Sequence, residues 1–359
     1  MKALLRAFDR RYYVVAPAER LAAVRILVGG FAVVFLLVSA PKFWALASFP
    51  AAELAPVGPL SWLDAPCAPA VVYGAFVACV LSGIAFTLGV GYAVAAPLFA
   101  ALLLLLTTYR SSFGMKFHTE NLLVLHVLLL AAAPAADAWR WRARGRGRAE
   151  ARGRAVPSPH GRYGWALCAM SVVTVITYAL AGVAKLRNGG WEWMNGDLLR
   201  AQIAYDNARK IELGSLHSPL GAALVRVGWV FPILGWLTMA VELLAPLALL
   251  GRRWASGWAA LAWGFHAGVL AVMMIGFPYP LTFIAYASLF RAERLGELRL
   301  VRRLFGSWLP ATAAQPRPDT AQPRPDSSQP HVVSAPSGSA SAESSQVSSP
   351  EEELAERDE

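Results

Sequence analysis

Lys185 is a lysine whose position in the sequence would allow it to act as a base. It directly follows the apolar stretch 178–184. A lysine that is partly shielded from water loses its proton more easily and can act as a base. A lysine at the end of an apolar helix more commonly anchors that helix at a membrane surface. The spacing alone leaves both interpretations open.

Three histidines raise the same question. His118 stands just before the apolar run that starts at 121, and its imidazole suits proton transfer near neutral pH. It could equally lie beside Thr119 acting as a helix N-cap. His126 is eight residues further on and projects about 80° away on a helix, so we predict a buried, hydrogen-bonded histidine there. For His266, in the middle of another apolar run, a structural and a ligand-binding role both stay open.

Two further ionisable residues lie inside apolar runs, where an unpaired charge is costly. Arg25 is near one end of its run and can extend its long side chain toward the lipid headgroups. Glu242 lies about 12 Å from the nearer end of its run, too deep for a short carboxylate to reach the surface. It therefore needs a proton or a cation. Arg25 is the cation nearest in depth, and we predict a structural Arg25–Glu242 pair.

The composition shows which elements must position these residues. Of 359 residues, 56% are hydrophobic and only 16% are charged, whereas soluble chains carry about 25% charged residues. The net charge of +10 comes from arginines clustered between apolar runs, with no nucleic-acid-binding motif. The three cysteines have no metal-binding or disulfide-framework spacing. The sequence predicts a lipid bilayer as surroundings, no nucleic-acid partner and no metal site.

We predict an all-α, polytopic membrane bundle of about eight transmembrane helices, because each span needs about 20 apolar residues. Single spans are predicted near 19–39, 119–136, 163–186 and 228–250. The uncharged segments 66–109 and 254–290 each hold two more, with a turn at 89–91 and a proline hinge at 276–280. The last span is short.

The predicted domains are a basic N-terminus (1–18), a transmembrane domain (19–292) and a tail (306–359). The N-terminus does not resemble a cleavable signal peptide, because its apolar run is too long. The tail repeats Gln-Pro-Arg-Pro-Asp, becomes Ser-rich and ends acidic, which predicts disorder.

The arginines also predict orientation, since loops rich in Lys and Arg stay in the cytoplasm. Eight spans with both termini cytoplasmic place every dense basic cluster on one side of the cell membrane. His118 and Lys185 then both lie at the outer surface. The outer loop 187–227 holds Trp191 and Trp193 among charged residues, which favours an amphipathic helix on the outer leaflet.

Four stretches in order resemble the HTTM (horizontally transferred transmembrane) family, relatives of the membrane portion of vitamin K-dependent γ-glutamyl carboxylase. They are 21–29, with Arg25; His118 with Asn121-Leu122-Leu123; Tyr178, Gly182 and Lys185-Leu186 followed by Trp191 and Gly196; and Phe265-His266 followed by Ile275-Gly276-Phe277-Pro278-Tyr279. The resemblance covers roughly residues 15–292.

The resemblance implies a reduced quinone, such as vitamin K hydroquinone, as the cofactor. Lys185 would be the base that deprotonates the quinol, and His118 an auxiliary group for proton transfer or hydrogen bonding. Tyr178, Trp191 and His266, which lie in the same motifs, are the candidate substrate-binding residues.

The sequence departs from the carboxylase pattern in several places: Ala184 precedes Lys185, the spacing to the tryptophan is longer, and Lys116 and Phe117 precede His118 where the carboxylase has asparagines. Arg187 follows Leu186 where the carboxylase has aspartate, and a tail replaces its large folded region. Whether the chain is an enzyme therefore stays open. It could perform quinol-linked oxygenation or carboxylation-type chemistry, or serve as a non-enzymatic transporter, channel-like or scaffold protein.

Overall fold

The computed structural model describes residues 14–114, 118–140, 157–299 and 303. Within these ranges the chain forms α-helices and short 3-10 turns, and no β-strand. The α-helices are α1 (Ala18–Ala45), α2 (Pro69–Leu88), α3 (Tyr92–Arg110), α4 (Asn121–Ala131), α5 (Gly161–Met194), α6 (Asp197–Glu212), α7 (Pro219–Leu224), α8 (Val230–Leu243), α9 (Arg252–Met273) and α10 (Pro278–Leu281). The basic segment 141–156 and the predicted disordered tail 306–359 lie outside the described residues.

Five helices in the described ranges are long and apolar enough to cross a membrane, which confirms the all-α membrane fold. They are α1 with its 3-10 continuation to Ser48, and α2, α3, α5 and α9. Two shorter apolar helices, α4 and α8, accompany them. The predicted count of eight spans is not confirmed. The region predicted as the eighth span consists of α10 and the 3-10 segment Ile284–Leu289.

The predicted breaks between helices occur where glycine and proline stand. Gly89 and Gly91 both have positive φ, 71° and 53°, and form the tight turn between α2 and α3. At the predicted hinge, α9 ends at Met273 and α10 begins at Pro278. Gly190, with φ 48°, kinks α5, which continues past the predicted end of its span to Met194.

Helix α1 packs against α2, α4 and α5, and α5 in turn packs against α8. The buried face of α1 includes Leu21, Val24 and Val28. A β-carbon at Gly29 would lie 2.8 Å from the Phe86 ring, so glycine lets α1 and α2 approach closely. Large apolar side chains such as Val94 remain exposed, as expected for helices surrounded by lipid.

Candidate functional site

A cavity of about 1390 Å³ lies among α1, α5, α6, α8, α9 and the non-helical segment 274–277. Most of its wall is apolar, with Phe31, Phe35, Leu237 and Val269 among the lining residues. Charged and hydrogen-bonding side chains interrupt this wall at a few points. Such a lining fits an amphipathic molecule, because the apolar wall buries its hydrophobic part and the polar groups fix its orientation.

Lys185 on α5 and Glu242 on α8 form an ion pair on the cavity wall. The ammonium Nζ donates to Oε1 of the carboxylate. Glu242 is 3% exposed. Its second oxygen, Oε2, is buried and has no hydrogen-bond partner among the described residues. The pair therefore keeps one acceptor that a bound molecule could use.

Gly182 explains how the two helices come close enough for this pair. A β-carbon at Gly182 would lie 3.0 Å from Cβ of Glu242 and 2.9 Å from Cδ2 of Leu243. These distances are at or below the limit for a real side chain. Glycine at this position, one helical turn before Lys185, lets the backbones of α5 and α8 approach each other.

The predicted Arg25–Glu242 pair is wrong. Arg25 is fully buried, and its guanidinium donates to the backbone carbonyls of Ala135 and Trp139, just beyond the end of α4. The prediction compared only the depths of the two residues in the membrane. It could not give their lateral separation, which is set by the packing of α8 on α5.

His266 on α9 and Tyr178 on α5 also line the cavity and are hydrogen-bonded to each other. Nε2 of His266 lies 2.7 Å from Oη of Tyr178, which in turn lies 2.7 Å from Oη of Tyr286. His266 is 7% exposed, and its Nδ1 has no hydrogen-bond partner in the described part of the chain. We call Lys185, Glu242, His266 and Tyr178 the Lys185 cluster.

His118 lines the same cavity. Its ring centroid lies 5.8 Å from that of Phe277, and the Phe277 ring lies 4.9 Å from the His266 ring. The structure therefore brings His118, His266 and Lys185 to a single cavity, although 148 positions separate His118 from His266. The hinge segment positions the aromatic ring between the two histidines.

A second charged group on the cavity wall belongs to α6, in the predicted outer loop. Asp206 pairs with Lys210 at 2.7 Å and with Arg209 at 3.2 Å. Lys210 also donates to the backbone carbonyl of Met273, at the end of α9. The predicted helix in this loop is thus present and forms one side of the cavity, while its position on the outer leaflet stays a prediction.

Trp191, a candidate substrate-binding residue, does not line the cavity. Its side chain is exposed and packs edge-on against Trp236, with the ring centroids 6.3 Å apart. Trp193 lines the cavity instead, and the Lys185 ammonium lies 5.2 Å from the centre of its ring. Two positions on a helix differ by about 200°, so the two tryptophans face opposite sides.

His126 is the buried, hydrogen-bonded histidine that the sequence predicted. It is fully buried, with Nδ1 2.7 Å from Oη of Tyr279 and Nε2 3.0 Å from Oγ1 of Thr174. Both ring nitrogens have partners. His126 is not among the residues that line the cavity.

Sequence reasoning missed Trp193, Tyr286 and Phe277 as parts of this site. The sequence around an uncharged aromatic residue does not show whether its side chain lines a cavity or packs in the core. The one available signal was the hinge 276–280, because non-helical backbone at membrane depth is tolerated where it lines a cavity or is buried in protein.

The fold and the site together define a polytopic α-helical membrane protein with a polar cluster in a largely apolar cavity. The chain belongs to the HTTM family, since the profile of the HTTM domain matches residues 13–294. Searches of curated proteins and of solved structures found no match. Within the described ranges, no three His, Cys, Asp or Glu side chains converge as a bound metal ion would require.

Proposed function

We propose that this protein is a membrane enzyme of the carboxylase-like class that binds a lipid-soluble quinol in the cavity and removes a proton from it. One observation carries the proposal. A lysine and a carboxylate pair on the wall of an apolar cavity, and the buried Oε2 of the carboxylate has no partner among the described residues. A molecule with a hydrophobic tail and a hydroxyl headgroup matches both the wall and this open acceptor.

In this proposal, Lys185 is the base and Glu242 is the residue that lets it act as one. An ammonium cannot accept a proton, so the pair must react in its neutral form, with the shared proton on the Glu242 carboxyl. A low-dielectric surrounding favours such a neutral pair over two separate charges. The quinol hydroxyl, which donates to Oε2 of Glu242 on binding, then turns to Lys185, and the amine turns its lone pair from Glu242 toward this hydroxyl. The O–H bond of the quinol breaks and a new N–H bond forms at Nζ, which leaves the quinol oxygen negatively charged beside the ammonium.

His118 is proposed as the auxiliary group that relays or orients a proton at the same cavity. Its imidazole has the suitable chemistry, and its ring contacts Phe277, which also contacts His266. If both termini are cytoplasmic, as the arginine distribution predicts, this chemistry takes place toward the outer face of the membrane.

The test is dioxygen consumption by the purified full-length protein in lipid nanodiscs, supplied with an isoprenoid naphthohydroquinone. We expect Lys185→Ala to lower the protein-dependent rate by about 100-fold or more, the usual contribution of a general base. Lys185→Arg should be equally slow, because a guanidinium does not give up its proton. Glu242→Gln should also lose activity, because the amide cannot hold the shared proton.

The matched control is Arg187→Ala. Arg187 is an exposed cation on the same helix, two residues after Lys185, and it does not line the cavity. This variant should keep the wild-type rate. If both Lys185 variants turn over the quinol at the wild-type rate, Lys185 is not the base.

A second candidate is transport, favoured by the broken helices at the cavity. The non-helical residues 274–277 separate α9 from α10, and Gly190 kinks α5. Transporters place such breaks at their binding sites. Uptake of a labelled hydroquinone into proteoliposomes that is retained in Lys185→Ala, with no protein-dependent dioxygen consumption, would support transport over catalysis.

A further inference from the structure

We infer that Tyr178, held in turn by Tyr286, fixes His266 in the tautomer that carries its proton on Nδ1, so that His266 donates a hydrogen bond to an oxygen of the bound molecule. The identity of that molecule as a quinol rests on the proposed function. The tautomer rests on the geometry of three buried side chains. Tyr178 and Tyr286 are positioning residues here, since they act on the bound molecule through His266.

The three polar groups form a chain with few alternatives. Tyr178 Oη lies 2.7 Å from both His266 Nε2 and Tyr286 Oη. Tyr286 is fully buried, and its hydroxyl has no other hydrogen-bond partner that the structure describes. Tyr178 is 6% exposed, so its hydroxyl must also find its partners within the protein or in a bound molecule.

When Tyr178 accepts from one of its two neighbours and donates to the other, two directions of donation exist, and they leave different buried donors unsatisfied. If His266 Nε2 donates to Tyr178, then Tyr178 donates to Tyr286, and the buried hydroxyl proton of Tyr286 has no acceptor. If Tyr286 donates to Tyr178, then Tyr178 donates to Nε2, and every hydroxyl proton of the chain is used. The second direction instead leaves the Nδ1–H of His266 without an acceptor among the described residues. A buried donor without an acceptor is costly, but His266 lines the cavity, where a bound molecule can accept from it, whereas Tyr286 is not among the lining residues. The second direction is therefore favoured. Nε2 is then an acceptor, and the neutral ring carries its proton on Nδ1.

Among the polar groups of His266, Tyr178 and Tyr286, the resulting Nδ1–H is the one that has no hydrogen-bond partner in the part of the protein that the structure describes. It is buried, and His266 lines the cavity. Oε2 of Glu242 is an acceptor that is likewise buried and has no hydrogen-bond partner among the described residues, and Glu242 also lines the cavity. Lys185 pairs with Glu242 and lines the same cavity as His266.

A donor and an acceptor together define the chemistry of the headgroup. An oxygen that accepts from Nδ1–H and donates its own proton to Glu242 is a hydroxyl. A hydroquinone satisfies both groups. The oxidised quinone has no proton to donate, and a dimethyl ether of the hydroquinone likewise leaves Glu242 Oε2 without a donor. The site is therefore expected to prefer the reduced form.

The tautomer can be measured directly by nitrogen NMR on full-length protein labelled with ¹⁵N-histidine, because protonated and unprotonated ring nitrogens have well-separated shifts. His266→Gln identifies the His266 signals by subtraction from the six histidines of the chain. We expect the Nδ1–H form in the wild type, its loss in Tyr178→Phe, and a mixture of tautomers in Tyr286→Phe. A wild-type ring protonated on Nε2 would overturn the inference.

The affinity for the hydroquinone provides a second test, because a purely structural role of His266 would not make it depend on which ring nitrogen is replaced. An asparagine amide nitrogen can take the place of Nδ1, whereas a glutamine amide reaches toward the place of Nε2. We therefore expect His266→Asn to bind an isoprenoid naphthohydroquinone under anaerobic conditions nearly as tightly as the wild type. His266→Gln should bind about tenfold more weakly, the loss of one hydrogen bond to the ligand. The opposite order would overturn the inference.

The two proposals fail separately. If wild-type protein does not bind the hydroquinone, the proposed substrate is wrong, while the NMR measurement still decides the tautomer. If the Lys185 variants retain turnover but His266 shows the Nδ1–H form and the predicted order of binding, only the assignment of the base is lost. Thermal unfolding of each variant separates loss of binding from loss of fold.

Discussion

The bundle contains two cations, Arg25 and Lys185, that lie in or at the end of an apolar run, and their surroundings in the structure differ. Arg25 is fully buried and donates to the carbonyls of Ala135 and Trp139. Lys185 pairs with Glu242 on a cavity wall, and the pair keeps a free acceptor. Charge inside an apolar bundle is therefore not by itself a functional signal. What separates the two sites is their position: Lys185 and Glu242 line the cavity, whereas Arg25 is not among the lining residues and donates to backbone carbonyls.

Further contacts mark the Arg25 site as structural. The guanidinium lies 5.9 Å from the centre of the Tyr92 ring, and the Tyr92 hydroxyl donates to the carbonyl of Leu130 at 2.7 Å. Gly89, in the turn between α2 and α3, leaves the space that the guanidinium occupies. Arg25 thus joins α1 to that turn and to the end of α4.

The largest expected effect is the loss of stability when Arg25 is removed. Arg25→Met should lower the free energy of unfolding by about 3 kcal/mol, because two carbonyls lose a charged donor. Lys185→Met should cost only about 1 kcal/mol, because Glu242 can become neutral by taking up a proton. Reversible unfolding in mixed micelles measures both. Equal losses would remove the distinction between a structural and a functional cation.

Gly89→Ala should cost about 2 kcal/mol. Gly89 has φ 71°, and a β-carbon there would lie 2.7 Å from Nη1 of Arg25. The matched control is Gly91→Ala in the same turn, which has φ 53° but open space around the site of the β-carbon. Gly91→Ala should lower the free energy of unfolding only by the cost of the backbone strain, about 1 kcal/mol. If the two variants unfold alike, Arg25 does not depend on the glycine.

Gly182→Ala tests the Lys185 side of the comparison. The added methyl group would overlap Glu242 and Leu243 and push α8 away from α5, at a cost of about 1 kcal/mol. We expect a lower quinol-dependent rate as well, because the ion pair is stretched. Gly257→Ala, on an exposed face of α9 with open space, should change neither stability nor rate. An unchanged rate in Gly182→Ala would show that the close approach is not needed.

The smallest effect is expected at a third cation, Arg20, which pairs with Glu293 at 2.8 Å and is less buried than Arg25. Burial by itself raises the pKa of the Glu293 carboxyl. Hydrogen bonds from Arg20 and from its own backbone, with the charges of Arg20 and Arg291, outweigh burial and hold the pKa below its usual value of 4.5.

A lowered pKa in the folded state means that Glu293 stabilises the fold above pH 4.5, and that this contribution is lost as the pH falls below that value. The contribution should be less than about 1 kcal/mol. Glu293→Gln should show a correspondingly smaller loss of stability between neutral and acidic pH. If wild type and variant have identical pH profiles, the pair does not contribute.

Local features of the sequence were sufficient for the all-α class and for two of the interruptions between helices. The turn at Gly89 and Gly91 and the hinge at 276–280 were predicted correctly, because glycine and proline act on the backbone within one or two residues. The length of the apolar run over 228–250 was misleading. Helix α8 stops at Leu243 and a 3-10 segment follows, with Pro246 near its start lacking the amide that an α-helix would use.

For the candidate site, the sequence supplied most of the members but not their partners. Lys185, His118, His266 and Tyr178 were all singled out, and all four line the cavity. The partner of Glu242 was assigned wrongly, and Trp191 was chosen over Trp193. Both errors concern which side of a helix meets which neighbour. Sequence patterns give that side only when apolar and polar faces differ, and here nearly every face is apolar.

The sequence by itself determined that the chain forms apolar helices in a membrane, that they break at 89–91 and 276–280, and which residues carry ionisable groups inside them. These properties depend on transfer into lipid and on backbone chemistry, which are local. Only the tertiary structure decided that Lys185 meets Glu242, 57 positions away, and that Arg25 meets backbone carbonyls instead. The reason is that lateral packing depends on small residues such as Gly182, whose effect appears only when two helices are in contact.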